Sequence, residues 1–312
     1  MSKAFVFPGQ GSQAVGMGAE LAGAFEVARL TFEEVDEALK QKLSRLMAEG
    51  PESDLTLTEN AQPALMAVSV AVMRVLQKEG GVDLAKAAKF VAGHSLGEYS
   101  ALCAAGAISL PDTARLLKLR GQAMQRAVPV GVGAMAAILG ADLEAAQAIA
   151  ADAAQGEVCA AANDNAPGQV VVSGHKSAVE RAIAIAAERG FKRAVLLPVS
   201  APFHCPLMQP AADAMADALA ETEVKAPLVP LVANVTASAV TDPAEIRRLL
   251  VEQVTGVVRW REGVLYMKEQ GVEGLVELGS GKVLAGLVKR IDKEITAVSL
   301  GTPADIEAYL KG

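Results

Sequence analysis

Short runs rich in apolar and β-branched residues alternate with longer stretches of helical periodicity along most of the chain. Strands separated by helices pair in parallel, and the helices cover the faces of the resulting sheet. Outside the middle of the chain, the pattern predicts strands at 3–7, 89–92, 228–235, 274–278 and 296–300, and helices at 16–48, 60–78, 97–105 and 112–127. The sequence therefore predicts an α/β fold with a largely parallel sheet.

The segment 128–198 has a different order of elements. Its pattern predicts a strand, a helix, two strands, a helix and a strand, at 133–139, 143–153, 157–162, 169–173, 177–189 and 193–198. This β-α-β-β-α-β order is that of a ferredoxin-like unit, which can fold as a layer of its own. A chain of 312 residues is long enough for a large domain with a smaller one inserted. We therefore predict a large α/β domain from 1–127 and 199–312, interrupted by the inserted domain 128–198.

Composition limits where the protein acts and what it binds. The net charge of −7 disfavours nucleic acid and anionic membranes as partners. No apolar run approaches the roughly 18 residues of a membrane span, and no signal-peptide pattern opens the chain. Three cysteines without metal-binding spacing suit a reducing compartment. We therefore expect a cytoplasmic protein without a metal, a membrane contact or a nucleic-acid contact, and we expect a monomer.

A serine lies in a tight turn between a predicted strand and a predicted helix. Residues 89–102 read KFVAGHSLGEYSAL, which contains the G-x-S-x-G pattern centred on Ser95. The flanking glycines Gly93 and Gly97 permit a sharp reversal, and the start of the helix favours a developing negative charge. The pattern predicts that Ser95 is a nucleophile. A serine that merely caps the helix is the alternative.

A serine nucleophile needs a base, and the chain has three histidines. His94 is adjacent to Ser95, so its ring should point away across the turn. We expect His175 to be a solvated residue at the start of a helix. His204 lies in the proline-rich segment 198–206, a rigid mount for an imidazole, and is the predicted base, with a structural loop histidine as the alternative. No acid between Ser95 and His204 has an obvious strand-end position.

An arginine interrupts the apolar face of the helix predicted at 112–127. On a helical wheel, Arg120 lies among the apolar side chains. An unpaired buried charge costs several kcal/mol, so the guanidinium must meet an anion or several acceptors. Two interpretations stay open: a pair with a buried Asp or Glu, or a site that binds a substrate carboxylate bidentately.

The loop after the first strand imitates a nucleotide-binding pattern. Residues 9–14 fit G-x-G-x-x-G/A, but dinucleotide binding also needs an acidic residue at the end of a second strand about 20 residues further on. Residues 24–40 read instead as an acidic amphipathic helix, and Met17 stands where a P-loop requires lysine. We therefore interpret the loop as a turn that lets the chain pass close to Ser95. A non-catalytic docking module remains the least favoured alternative.

Six features together identify a resemblance. The chain resembles the malonyl-CoA:acyl carrier protein transacylases of type II fatty-acid synthesis in Arg120 and in the segments FPGQGSQ (7–13), GHSLGE (93–98), GQVVVSG (168–174), PVSAPFH (198–204) and ELGSGKVL (277–284). These follow in the expected order across essentially the whole chain. The resemblance implies an α/β-hydrolase-like large domain with a parallel sheet and an inserted ferredoxin-like small domain. It also implies ping-pong transfer of malonyl from malonyl-CoA to the phosphopantetheine thiol of acyl carrier protein, with no bound cofactor.

The resemblance also assigns roles to individual residues. It implies a malonyl ester on Ser95, with His204 as general base and then general acid, and Arg120 binding the malonyl carboxylate. It implies that the backbone N–H groups of Gln10 and Leu96 form an oxyanion hole and that the main-chain carbonyl of Gln253 orients the imidazole. It also implies that Asn163 or Asn165 supplies a polar contact near the substrate. Phe203, which precedes His204, favours malonyl over methylmalonyl.

A serine hydrolase or thioesterase with the same serine turn is the leading alternative. Such an enzyme has little use for an arginine that binds a carboxylate. It would also be expected to contain an acid that orients the histidine. Arg120 and the missing acid therefore favour the transacylase.

Overall fold

Two separate β-sheets organise the computed structural model, which describes residues 1–312. The ten strands are β1 (Lys3–Phe7), β2 (Phe90–Gly93), β3 (Gly133–Leu139), β4 (Cys159–Ala166), β5 (Gln169–His175), β6 (Arg193–Leu196), β7 (Leu231–Val232), β8 (Ala239–Val240), β9 (Gly274–Leu278) and β10 (Thr296–Leu300). The fifteen helices are α1 (Ala19–Ala24), α2 (Glu26–Leu39), α3 (Leu43–Glu49), α4 (Glu52–Thr56), α5 (Thr58–Gly80), α6 (Leu84–Ala87), α7 (Gly97–Ala104), α8 (Leu110–Ala127), α9 (Leu143–Ala154), α10 (Lys176–Glu188), α11 (Gln209–Ala220), α12 (Pro243–Thr255), α13 (Trp260–Glu269), α14 (Val283–Ile291) and α15 (Pro303–Lys311).

The larger sheet has the strand order β10-β9-β1-β2-β7-β8, and all its pairs are parallel except β7 with β8. Side chains alternate between two cores along the central strands. In β1, Phe5 and Phe7 point into the larger core, whereas Ala4 and Val6 point into the smaller core on the opposite face. Burial on both faces is typical of parallel sheets covered by helices. The prediction of an α/β fold with a largely parallel sheet is confirmed.

The smaller sheet is antiparallel, with the strand order β4-β5-β3-β6. Helices α9 and α10 cover it through a separate apolar core, to which Ile149 and Val179 contribute. The elements of this part follow the predicted order from β3 to β6. Strand β3 has the predicted bounds, whereas β4 begins and ends later than predicted and β6 ends at Leu196.

Two predicted elements differ from the structure for local reasons. The single helical stretch expected at 16–48 is three helices, because the backbone is extended at Phe25 and left-handed at Lys40. The strand expected near 228–235 shortens to the two residues of β7. Pro227 and Pro230 have no N–H to donate to a sheet, which limits pairing there.

Strand β4 contacts the segment that precedes α13. Asp164 donates its backbone N–H to the carbonyl of Val258 at 2.9 Å, and Val258 donates to the carbonyl of Ala162 at 2.9 Å. The buried carboxylate of Asp164 also accepts hydrogen bonds from both Nε and Nη2 of Arg261. These contacts fix the end of β4 beside the turn that follows β2. Every helix in the chain is too short or too polar to cross a membrane.

The close approach of backbones around the serine turn gives a test of the fold. A Cβ added at Gly93 would lie 1.9 Å from the carbonyl carbon of Gly97, so we expect Gly93→Ala to lower the free energy of unfolding by at least roughly 2 kcal/mol. Gly286→Ala is the control, because this helical position opens to free space and alanine should stabilise it by up to about 1 kcal/mol. Urea unfolding of both variants measures the difference. Equal midpoints would contradict the described packing.

Candidate active site

Ser95 projects from a strained turn between β2 and α7. Its φ of 53° lies in the left-handed region, which a residue with a side chain adopts only when its surroundings enforce it. The side-chain oxygen of Asn234 accepts the backbone N–H of Ser95 at 2.9 Å, and its amide group donates to the carbonyl of Gly93 at 2.8 Å. Asn234 thus holds the backbone of the turn at Gly93 and at Ser95, and Ser95 lines the cavity.

His204 contacts the hydroxyl of Ser95 directly. Its Nε2 lies 2.8 Å from Ser95 Oγ, and its Nδ1 lies 2.8 Å from the main-chain carbonyl of Gln253. A carbonyl can only accept, so Nδ1 carries the hydrogen and Nε2 is free to accept from the serine. Burial, and secondly the charge of Arg120, lowers the pKa of His204 to about 3. The imidazole is therefore neutral at physiological pH and can act as a base.

Arg120 is buried beside the serine without a direct carboxylate partner. Its Nη1 donates to Gln62 Oε1 at 2.8 Å, and its Nη2 donates to Gln253 Oε1 at 2.6 Å and to Ser95 Oγ at 3.1 Å. Its Nε has no acceptor. The interpretation as an ion pair with a buried acid is wrong, since two amide oxygens take that place. The guanidinium keeps unused donor capacity next to Ser95.

Gln253 is fully buried near the end of α12. Its amide nitrogen donates to the carbonyl of Ser95 at 2.9 Å and to the carboxylate of Glu98. Glu98 is also buried and accepts the backbone N–H of Asn234 at 2.6 Å. Burial raises the pKa of Glu98 to about 7, although these hydrogen bonds and the charge of Arg120 act in the opposite direction.

The sequence interpretation missed several polar residues of this site, of which Gln62, Glu98 and Asn234 contact the predicted residues. Glu98 lies three positions after Ser95, a spacing that returns to the same side of a helix. That spacing was the sequence feature from which a contact of Glu98 with the site could have been predicted. Gln62 and Asn234 carry no pattern that distinguishes them from surface amides.

A cavity of about 590 Å³ opens above Ser95. All residues that the sequence predicted for the site line it, except Gln253, whose side chain contacts the lining residue Arg120. Those lining residues are Gln10, Ser95, Leu96, Arg120, Asn163, Asn165, Phe203 and His204. No group of three or more His, Cys, Asp or Glu side chains is arranged to hold a metal ion.

The loop after β1 passes close to the serine turn. A Cβ added at Gly9 would lie 2.7 Å from the carbonyl oxygen of His94. The side chain of the next residue, Gln10, accepts a hydrogen bond from the hydroxyl of Thr58 at 2.9 Å. Neither the backbone N–H of Gln10 nor that of Leu96 has an acceptor within the chain. Two free backbone donors therefore lie at the cavity that contains Ser95.

The other two histidines have structural contacts. His94 Nε2 donates to Asn165 Oδ1 at 2.7 Å, and its ring packs against Trp260 with centroids 5.8 Å apart. His94 thus links the serine turn to β4 and makes no hydrogen bond to Ser95. His175 is only partly exposed, and its Nδ1 accepts the backbone N–H of Val158 at 2.9 Å. His175 thus lies at the start of α10 as expected, partly exposed, with one ring nitrogen hydrogen-bonded to the backbone.

Comparison with known proteins agrees with this geometry. The acyl transferase domain family matches residues 4–301. The malonyl CoA-acyl carrier protein transacylase of Escherichia coli K12 is 50% identical over 308 residues, which cover 99% of this chain and 98% of the relative. The chain belongs to the malonyl-CoA:acyl carrier protein transacylase family. The resemblance identified from the sequence motifs is thus confirmed.

Solved structures of the family superimpose closely. The acyl-carrier-protein-S-malonyltransferase of Bartonella henselae is 57% identical, with a TM-score of 0.97 and coverage of 100% of this chain and 99% of that one. A type II PKS acyl-carrier protein in complex with its malonyl-transacylase also matches, at 46% identity and a TM-score of 0.96, with coverage of 100% of this chain and 99% of that chain. Enzyme class and fold therefore agree across the full length.

The depressed pKa of His204 can be measured directly. We expect its ring to stay neutral from about pH 8 to about pH 5, whereas an unperturbed histidine with a pKa of about 6.5 protonates in that range. The unfolded chain binds this proton and the folded chain does not, so the ring contributes to stability above about pH 6.5 and this contribution falls as the pH decreases. Ring ¹⁵N NMR, assigned with His204→Gln, reports the titration. A midpoint near 6.5 in the folded protein would contradict the burial argument.

Proposed function

We propose that the enzyme transfers malonyl from malonyl-CoA to the phosphopantetheine thiol of acyl carrier protein through a malonyl ester on Ser95. One observation carries this proposal: Ser95 Oγ lies 2.8 Å from His204 Nε2 and 3.1 Å from Arg120 Nη2. A nucleophile, its base and a cation thus meet at one point of the cavity. A thioester with a carboxylate one carbon beyond its carbonyl can react with such a site and be bound by it at the same time.

The first half-reaction forms the acyl-enzyme. Ser95 Oγ attacks the thioester carbonyl while its proton passes to His204 Nε2. The oxyanion then accepts hydrogen bonds from the free backbone N–H groups of Gln10 and Leu96, each worth on the order of 10²–10³ in rate. As the C–S bond breaks, His204 returns the proton to the departing coenzyme A thiolate. The Gln253 carbonyl keeps the imidazole in the required tautomer, which accounts for the missing acid.

The second half-reaction reverses these roles for another thiol. The phosphopantetheine thiol gives its proton to His204, and the thiolate attacks the ester carbonyl on Ser95. The C–O bond breaks, and Ser95 recovers its proton from the imidazole. No electron is transferred and no resident cofactor takes part. The names of the relatives support both substrates, including the matched structure that contains an acyl-carrier protein.

Selectivity for malonyl follows from Arg120 and its neighbours. A carboxylate on the acyl group supplies the acceptor that the buried guanidinium otherwise lacks at Nε. Phe203 precedes the base and lines the cavity, so its ring restricts the room for an α-methyl group. Asn163 and Asn165 supply further polar contacts at the same cavity, although Asn165 already accepts a hydrogen bond from His94.

We further propose that the chain divides into a large α/β-hydrolase-like domain, 1–127 and 199–312, and an inserted ferredoxin-like domain, 128–198. Two observations support this division. The two sheets share no strand, and the apolar core under the smaller sheet is separate from the two cores of the larger one. The catalytic cavity is lined from both parts.

Intact-mass analysis tests the nucleophile and the substrate together. After mixing with malonyl-CoA, we expect the enzyme to gain the mass of one malonyl group, and Ser95→Ala to gain none. Adding phosphopantetheinylated acyl carrier protein should then move the label to the carrier. Rapid loss of the label to water without a carrier would favour the hydrolase alternative. Labelling of Ser95→Ala would exclude Ser95 as the nucleophile.

Arg120→Ala tests the carboxylate contact. Because a hydrogen-bonded charge contributes about 1.5–3 kcal/mol, we expect the kcat/KM ratio of malonyl-CoA to acetyl-CoA to fall by about 10- to 100-fold. Arg115→Ala is the matched control, since Arg115 lies on the exposed side of the same helix and pairs only with Asp112. Unchanged malonyl selectivity in Arg120→Ala would remove Arg120 from substrate binding.

A further inference from the structure

Glu98 is a buried carboxylate that none of the steps above uses. It lies in the first turn of α7, and its side chain is 1% exposed. Glu98 accepts two hydrogen bonds, and both donors are neutral. They are the backbone N–H of Asn234, at 2.6 Å, and the side-chain amide of Gln253. Glu98 forms no ion pair. An isolated buried charge is strongly unfavourable, so its retention needs an explanation.

The nearest compensating charge belongs to Arg120, which is equally buried and equally without an ion-pair partner. One side chain connects the two charges. The amide nitrogen of Gln253 donates to Glu98, and its oxygen accepts from Arg120 Nη2 at 2.6 Å. Carboxylate, amide and guanidinium therefore form a chain in which each donor faces an acceptor. Polarisation along such a chain strengthens its hydrogen bonds.

The Glu98 side chain favours one orientation of the side-chain amide of Gln253. Both oxygens of the Glu98 side chain face donors, one the backbone N–H of Asn234 and the other the amide of Gln253, so the NH₂ group of Gln253 faces Glu98 and its oxygen faces Arg120. The carbonyl of Ser95, 2.9 Å from the amide nitrogen, favours the same orientation. A flipped amide would put two donors against each other at Arg120. Glu98 thus acts, together with the Ser95 carbonyl, on the orientation of the amide that holds the guanidinium next to Ser95.

We propose that Glu98 is a positioning residue that acts through Gln253 to hold Arg120 beside Ser95, and thereby sets the preference for a carboxylate-bearing acyl group. This inference rests on the proposed function. A direct Glu–Arg pair would occupy the guanidinium donors that the acyl carboxylate needs. The relay through Gln253 balances the charge of Arg120 from a distance and leaves Nε unpaired.

The position of the His204 imidazole should depend less on Glu98 than the position of the Arg120 guanidinium does. His204 contacts the main-chain carbonyl of Gln253, not its side chain. This carbonyl belongs to the last turn of α12, where carbonyls have no partner within the helix and their positions follow the backbone. Loss of the hydrogen bonds of the Gln253 side chain therefore displaces Arg120 more than His204. The change should appear in the preference for malonyl-CoA over acetyl-CoA.

The test compares malonyl-CoA with acetyl-CoA in Glu98→Gln, which keeps the shape of the side chain and removes its charge. The new amide can accept from only one of the two donors and must face the other with its own NH₂ group. We expect the kcat/KM ratio of malonyl-CoA to acetyl-CoA to fall at least tenfold. An equal loss for both substrates, or no loss, would overturn the proposal, because a purely structural role gives no selectivity change.

Glu277→Gln provides the matched control. Glu277 is also 1% exposed and accepts backbone N–H groups of Leu284 and Ala285, but it makes no contact with the serine site. We expect this variant to lose stability in urea and to keep the wild-type malonyl-to-acetyl ratio. If Glu98→Gln does not fold, Gln253→Met interrupts the same relay with a side chain of similar size and should cause the same loss of selectivity. An unchanged ratio in a folded Gln253→Met would equally overturn the proposal.

A double-mutant cycle separates this inference from the proposed function. If Glu98 acts through Arg120, adding Glu98→Gln to Arg120→Ala should not lower the ratio further. Additive losses would show that Glu98 acts by another route. Malonyl labelling of Ser95 in the wild type and the effect of Arg120→Ala alone are measured in the same series. They test the proposed function whatever the outcome for Glu98.

Discussion

The hydrogen bond from His204 Nδ1 to the main-chain carbonyl of Gln253 determines how the site can work. It fixes the tautomer of a deeply buried imidazole with a neutral group. An acid in that position would add a second negative charge near the buried Glu98, which already contacts the side chain of Gln253. The substrate proposed here itself carries a carboxylate, which these charges would repel. A neutral acceptor orients the base without opposing the binding of an anionic acyl group.

Backbone geometry brings these groups together from distant parts of the chain. Ser95 and His204 both have positive φ values, of 53° and 55°, a conformation that is unfavourable for residues with side chains. Contacts that exist only in the folded chain offset this strain. They include the hydrogen bond from the Ser95 N–H to Asn234 and the close packing of Gly9 against the His94 carbonyl. The placement of Ser95 and His204 therefore depends on packing around the turn, and not on these two residues alone.

Sequence reasoning reached the parts of the fold that local patterns encode. Strands β1, β3, β9 and β10 have the predicted bounds, because each is a short apolar run between clear turns. Ser95 was accessible from its motif and Arg120 from its place on the apolar face of α8. Gln253 came only from the resemblance to a family. Gln62 and Asn234 were not predicted, because periodicity indicates that a side chain is buried but not which polar partner it meets.

The indirect link between Glu98 and Arg120 through Gln253 also bears on turnover. Binding energy accelerates the chemical step only where an interaction is stronger in the transition state than in the ground state, so the orientation of the guanidinium matters more than the strength of its attraction to malonyl. The proposed cycle must release malonyl to a second thiol in every turnover. A carboxylate acting through the amide of Gln253 holds Arg120 in its orientation and leaves Nε without a partner. Indirect compensation thus suits an enzyme that must bind the same acyl group and pass it on.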